Sequence, residues 1–233
     1  MKISKINNGN INDVFILEFD YNKYIIRMSQ FNNDFVCKIL KLLDEYNIDS
    51  PRLLTNFKLG SKNIMICKYI EGENPTIYNE LFFEKLANSL RKLHSIQCKF
   101  EPVDYANNEE TLSKLKKYYG LSITSRYLKD ETEFINKKYK EIEKLNLNYL
   151  PKNIIHSDVK KENLLVNDNE LYLIDFGNAY VGNRLIDLIR VIMWFFIKDN
   201  NYDFDSIEKF ILQYFKKNST LLEAEKSNVT MLI

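Results

Sequence analysis

Hydrophobic and polar positions along this chain fall into two regimes. Residues 14–19 and 24–28 are rich in β-branched and aromatic side chains, and the polar turn at 20–23 joins them as a hairpin. Phe35, Ile39, Leu42 and Leu43 then repeat at spacings of three and four, which predicts a helix that runs to Tyr46 and closes before Pro51. Two more short strands are expected at 53–57 and 63–69, separated by a turn at 58–62. After Ile70 the pattern lengthens. Apolar residues at 82, 83, 86, 90 and 93 predict a helix over 81–94, and charged amphipathic helices follow at 112–119 and 127–145. Short strands are expected at 153–156, 164–166 and 171–174. Helical patterns return at 184–198 and 204–217, and weakly at 221–227. The polar stretch Glu71-Gly72-Glu73-Asn74-Pro75 divides the regimes. The expected organisation is therefore α+β: a β-rich N-lobe with one helix over residues 1–70, and a mainly helical C-lobe with a small sheet insert over 71–233.

Composition excludes several classes. With 45% hydrophobic residues in 233, the chain can build a full core and does not read as disordered. Thirty-three basic against 32 acidic residues give a net charge of +1, so no nucleic-acid partner is indicated. Cys37, Cys67 and Cys98 are widely spaced among apolar neighbours and read as buried reduced thiols. The start of the chain lacks a signal-peptide core, and the most apolar run, 185–197, is interrupted by Asp187 and Arg190. The expectation is no membrane and a cytoplasmic setting.

The chemistry lies in one stretch. His156-Ser157-Asp158 is followed by Asn163, five residues after Asp158, and then by Asp175-Phe176-Gly177 at the end of an apolar strand. Phosphoryl transfer needs positioning and charge neutralisation more than covalent chemistry. One carboxylate must take the proton of the attacking hydroxyl, and hard oxygen ligands must hold Mg²⁺ against the phosphates. The order His-x-Asp-x-x-x-x-Asn and then Asp-Phe-Gly matches the kinase signature. An isolated Asp-Phe-Gly would say little; the combination, with twelve residues from Asn163 to Asp175, says much.

With these residues in view, the chain resembles the aminoglycoside phosphotransferase and choline kinase family. Ser50-Pro51-Arg52-Leu53-Leu54, the 63–73 strand and hinge, Leu90-Arg91-Lys92-Leu93-His94-Ser95 and Leu185-Ile186-Asp187-Leu188 resemble further stretches of that family. Residues from about 100 to 150 and from about 200 onward carry no such likeness. The resemblance implies a bilobal protein-kinase-like fold and an ATP- or GTP-dependent enzyme that phosphorylates a small-molecule hydroxyl with Mg²⁺. It implies Asp158 as base and Asn163 and Asp175 as metal ligands. His156 and Asp187 would support the catalytic loop, while His94 reads as a helix-end residue.

Arg27 stands where kinases place a phosphate-binding lysine, and some branches of the family resemble this chain in having arginine there. A helix carboxylate is expected to pair with it, but residues 31–40 offer only Asp34. Residues 7–13, with Gly9, Asn10 and Asn12, resemble the family's glycine-poor nucleotide loop, and Cys67, Tyr69 and Ile70 its purine-contacting hinge. Lys160 fits a protein kinase, the first rival reading; no Ala-Pro-Glu follows Asp175, which argues against it. A nucleotide-binding pseudokinase is the second rival, and a choline or ethanolamine kinase an alternative within the class. Asp199, Asp203, Asp205 and Glu208 with Tyr202 and Phe204 favour a cationic acceptor such as an aminoglycoside. Trp194, in its apolar run, reads as core.

Overall fold

The computed structural model describes residues 1–6, 12–97, 137, 151–167, 170–198 and 201–215. The sequence-expected helices at 112–119, 127–145 and 221–227 lie outside these, apart from residue 137, as do Gly9 and Asn10.

Strands β1 (Lys2–Ile6), β2 (Asp13–Phe19), β3 (Asn22–Ser29), β4 (Leu53–Leu59) and β5 (Lys62–Lys68) form one antiparallel sheet in the order β1-β2-β3-β5-β4. The β2–β3 turn places Asp20 and Tyr21 at positive φ, 49° and 60°, and the Asn22 amide donates to Asp20 O at 2.8 Å. Two successive residues of that hand match the right-handed twist of the strands they join. Between β3 and β4 runs α1 (Asp34–Glu45). Its buried stripe, Cys37, Ile39, Leu40 and Leu43, packs into the core, as the spacing requires.

The segment after the sheet is docked rather than free. Glu73 N donates to Val166 O (3.1 Å) and Val166 N to Glu73 O (2.8 Å), so Glu73 pairs with strand β7 (Leu164–Asn167). Asn74 Nδ2 reaches the carbonyls of Lys161, Glu162 and Leu164. Gly72 permits the approach: a Cβ there would lie 3.0 Å from Val166 O. The linker read from sequence is thus a fastened edge, because its polar groups find backbone partners.

Helix α2 (Glu80–His94) starts at Asn79, whose side chain accepts from Phe82 N. It buries Leu86, Ala87, Leu90 and Leu93 completely. Replacing any of these leucines by alanine would cost about 2–5 kcal/mol. Strand β6 (Lys152–Ile155) pairs with β9 (Tyr180–Asn183), and β7 forms a hairpin with β8 (Glu170–Leu173).

One long helix is expected over 184–198; the structure divides it. Helix α3 (Leu185–Val191) passes into a π turn at Ile192–Phe196 and then into the short strand β10 (Ile197–Lys198). The wider turn lets Ile192, Phe195 and Phe196 all reach the core. Met193 and Trp194 fall on the other side. Trp194 is 56% exposed, which corrects its reading as core. Strand β10 pairs with β11 (Asn201–Tyr202), and α4 (Phe204–Phe215) packs Ile207, Phe210 and Tyr214 against the rest.

Candidate active site

Asp158 sits on a loop whose shape is set by a buried carboxylate. Asp187, from α3, is fully buried. Its Oδ2 accepts from His156 N (2.7 Å) and lies 3.0 Å from His94 Nε2; its Oδ1 accepts from Ser157 N (2.6 Å). Burial pushes the Asp187 carboxyl up, but its bond with His94 and the neighbouring histidines pull harder, and the net result is below the usual value. The bond to its amide holds Ser157 at φ +65°, a conformation non-glycine residues adopt rarely. His156 Nε2 donates to Ile174 O (2.8 Å), while its Nδ1 accepts from Asp158 N (3.3 Å), so the ring is held as the Nε2–H tautomer. His94 is more than a helix end: its Nδ1 meets the Tyr214 hydroxyl at 2.6 Å, tying α2 to α4 behind the loop.

Asn163 closes the loop. Its two amide hydrogens go to Asp158 O (2.8 Å) and Asp158 Oδ2 (2.9 Å), which leaves its carbonyl oxygen as the atom it can offer a ligand. Asp158 Oδ2 also takes Lys160 Nζ at 2.9 Å and Asn178 Nδ2 at 3.4 Å. Asp158 Oδ1 has no hydrogen-bond partner among the described residues.

Asp175 is carried to the same place from β8. Ile174 N donates to Asn163 O (2.9 Å), locking the strand end to the loop that carries Asp158. Asp175 then turns left-handed (φ 59°, ψ 65°), and its side chain accepts from Gly177 N. Arg27 reaches it from β3: Nη1 lies 2.8 Å from Asp175 Oδ1, with the arginine side chain 16% and the aspartate 52% exposed. A Cβ on Gly177 would stand 2.7 Å from Arg27 Nη2, so a larger residue there would make the guanidinium shift. Asp34 is exposed at the start of α1 and forms no ion pair with Arg27 among the described residues.

Of these groups, Arg27 and Asp175 line a cavity of about 390 Å³ between the sheet and the β7–β8 hairpin. Its lining includes Val14, Ile25, Met65, Leu165 and Ile174 besides Asn12, Arg27 and Asp175. Cys67, Tyr69 and Ile70 line it as well, so the sequence-expected hinge faces the same space. Burial pushes the Cys67 thiol up to about 12. The Tyr69 amide is already used by Lys23 O, at 3.2 Å.

Among the described residues no three His, Cys, Asp or Glu gather to hold a metal ion by themselves. Asn163 and Asp175 instead offer one amide and one carboxylate oxygen. That set suits a Mg²⁺ whose remaining positions are filled by phosphate and water, not an all-protein cage. No helix among the described residues is long and apolar enough to cross a membrane.

Comparisons with known proteins bear on the family and the fold. A model described as the phosphotransferase enzyme family, APH, matches residues 2–217. A Mycoplasma pneumoniae protein described as uncharacterized is 29% identical over 136 residues; the match takes in 54% of this chain and only 41% of that protein. A spectinomycin phosphotransferase crystallised with ADP and spectinomycin has a TM-score of 0.68 at 16% identity, over 99% of this chain and 80% of that one. The gentamicin complex of APH(2″)-IIa gives 0.65 at 18% identity, over 97% and 80%. A Plasmodium vivax ethanolamine kinase gives 0.65 at 19% identity, over 99% and 71%. At such identities the structural likeness speaks for the fold.

Proposed function

The chain belongs to the APH phosphotransferase enzyme family, and from that premise we propose that it transfers the γ-phosphate of ATP or GTP to a hydroxyl of a small molecule, with Asp158 as base. The fold is α+β and protein-kinase-like. The observation that carries the reading is the free Oδ1 of Asp158, beside an Oδ2 already held by Asn163 and Lys160. A carboxylate anchored through one oxygen presents the other to an incoming hydroxyl in a fixed direction. As the acceptor oxygen bonds to the γ-phosphorus, the bond from phosphorus to the leaving nucleoside diphosphate breaks and the hydroxyl proton passes to Asp158 Oδ1. Arg27 offers a charge that persists at any working pH to the nucleotide phosphates. Asn163 and Asp175 would hold Mg²⁺, which when bound offsets phosphate charge.

The chain after Asp175 bears on the protein-kinase rival. Strand β9 pairs with β6 and α3 starts at Leu185, ten residues beyond Asp175. That leaves little length for an activation segment that would seat a peptide, which supports a small acceptor. We assign a cationic hydroxyl compound of the aminoglycoside kind, supported by the exposed Asp205 and Glu208 on α4. Asp203 belongs less to this argument, because its Oδ1 accepts from Ser206 N and caps α4. Asp199 lies outside the described residues.

The test is nucleotide turnover by the purified chain with Mg·ATP or Mg·GTP across aminoglycosides, choline, ethanolamine and a generic protein, with Asp158→Asn as control. Turnover stimulated by an aminoglycoside and lost in the control is expected. Stimulation by choline or ethanolamine alone would overturn the acceptor, and full activity of the folded control would overturn the base.

A further inference from the structure

Kinase-like sheets need something to aim the phosphate-binding cation, and helix α1 does not supply it here. It turns Val36 and Leu40 toward the cavity, and the carboxylate in its first turn, Asp34, faces solvent. The partner comes from Asn12 instead, the residue that leads into β2. Val14, two residues on, lies directly opposite Arg27 in the β2–β3 register. The Asn12 amide is set by its neighbours, since Arg27 can only donate: with its oxygen turned to the guanidinium, Oδ1 accepts from Arg27 Nη2 (2.7 Å) and Nε (3.2 Å), and Nδ2 donates to Ser29 Oγ (2.9 Å). Ser29 is itself buried and fixed, since its Oγ also accepts from Phe31 N.

A guanidinium has five N–H groups in one plane. Asn12 takes the Nε–Nη2 edge and Asp175 takes one hydrogen of Nη1. One N–H on each of Nη1 and Nη2 remains, enough to reach two oxygens of a phosphate. A neutral amide also aims the group without adding a second negative charge to that of Asp175.

We propose that Asn12 is a positioning residue, anchored by Ser29, that orients Arg27 for the nucleotide phosphates in place of a helix carboxylate. The proposal rests on Arg27 being a phosphate ligand. Asn12 therefore acts through Arg27 and not on the nucleotide directly.

Calorimetric titration of the full chain with Mg·ADP and with adenosine tests this. Arg27→Ala is expected to weaken ADP and leave adenosine unchanged. Asn12→Ala should weaken ADP about five- to tenfold, the scale of one ordinary net hydrogen bond, again sparing adenosine. In the Arg27→Ala background, Asn12→Ala should add nothing. Ser29→Ala, which leaves the Asn12–Arg27 contact in place, should weaken ADP about two- to threefold, and only while Arg27 is present. An Asn12→Ala that leaves ADP affinity intact while Arg27→Ala weakens it overturns the proposal. So does additivity in the double variant, which would make Asn12 a direct phosphate ligand, or equal losses for ADP and adenosine, which would make it merely structural. If Arg27→Ala itself leaves ADP affinity unchanged, the phosphate reading of Arg27 has failed, a result visible before any Asn12 variant is made.

Discussion

The two walls of the cleft are built differently. On one, Asp158 rests on a loop held from behind by His156, Asp187 and His94, all buried, with every bond internal. On the other, Arg27 is aimed by an amide and a half-exposed carboxylate at the edge of the sheet. The first wall is a product of folding: taking any of its groups away strands others in a dry interior. The second is held by charge at the water's edge, where partners can be exchanged. A phosphotransferase needs both, a base that does not move and a cation that can leave one anion for another.

Asp158→Asn separates chemistry from architecture most cleanly. The amide keeps the shape of the side chain but cannot take a proton, so turnover should fall about 10²–10⁴-fold with the melting temperature little changed. A large loss of stability instead would place Asp158 with the scaffold.

Asp187→Ala should do the reverse, removing about 3–5 kcal/mol of stability by the measure for breaking a buried charged network, and activity with it. Denaturant titration checks this. The same residue sets an acid edge. Its carboxyl is depressed in the folded protein relative to the unfolded chain. The stability it contributes is therefore present above the unfolded value of about 4 and lost as pH falls through the folded value. Thermal melts from neutral pH downward should show that loss in the native protein and less of it in Asp187→Ala; equal acid sensitivity in both would sink the assignment.

Arg27→Ala should raise the nucleotide KM about tenfold or more, and Arg27→Lys by less, since both cations neutralise phosphate but only the guanidinium grips two oxygens. Both should melt close to the native protein. If they unfold as readily as Asp187→Ala, the contrast between the walls is false.

The smallest effect concerns Cys67, buried in the wall of the cavity. With its thiol pushed up to about 12 by burial, it stays protonated and should resist iodoacetamide at pH 8 in the native protein while reacting after denaturation, read by mass. Its raised value adds stability that is present below the unfolded thiol value of about 8.5 and lost as pH climbs toward the folded one. Rapid native labelling would show that part of the wall to be wet.

Much of the first wall was legible in the sequence. His156, Asp158 and Asn163 sit close along the chain, and their spacing is itself the signal. The strands around them could be read to within a residue or two, because apolar runs flank each motif. The second wall was legible only as separate residues, Arg27, Asn12 and Asp175, and not as a contact. The Asn12–Arg27–Asp175 contact joins residues far apart in sequence, and no local period marks it. The expected helix carboxylate drew attention to Asp34, which faces solvent. β1 also went unread, since its Lys2-Ile3-Ser4-Lys5-Ile6 lies at the sheet edge with few buried positions. β9 did too, being four residues long with Gly182 inside it. The break in the long helix after Val191 had no proline or glycine to announce it; packing of Phe195 and Phe196 produced it.

The ion pair between Arg27 and Asp175 also has a consequence in thermodynamic linkage. A cation seated on Asp175 Oδ1 would compete with the guanidinium that lies 2.8 Å away, and an anion held by Arg27 would weaken its pull on the carboxylate. Each event lowers the cost of the other, and by reciprocity the factor is the same in both directions. Nucleotide and divalent ion would then enter as one electrically matched couple: the gain in nucleotide affinity on adding metal must equal the gain in metal affinity on adding nucleotide, and both should shrink together once Arg27 is replaced by alanine.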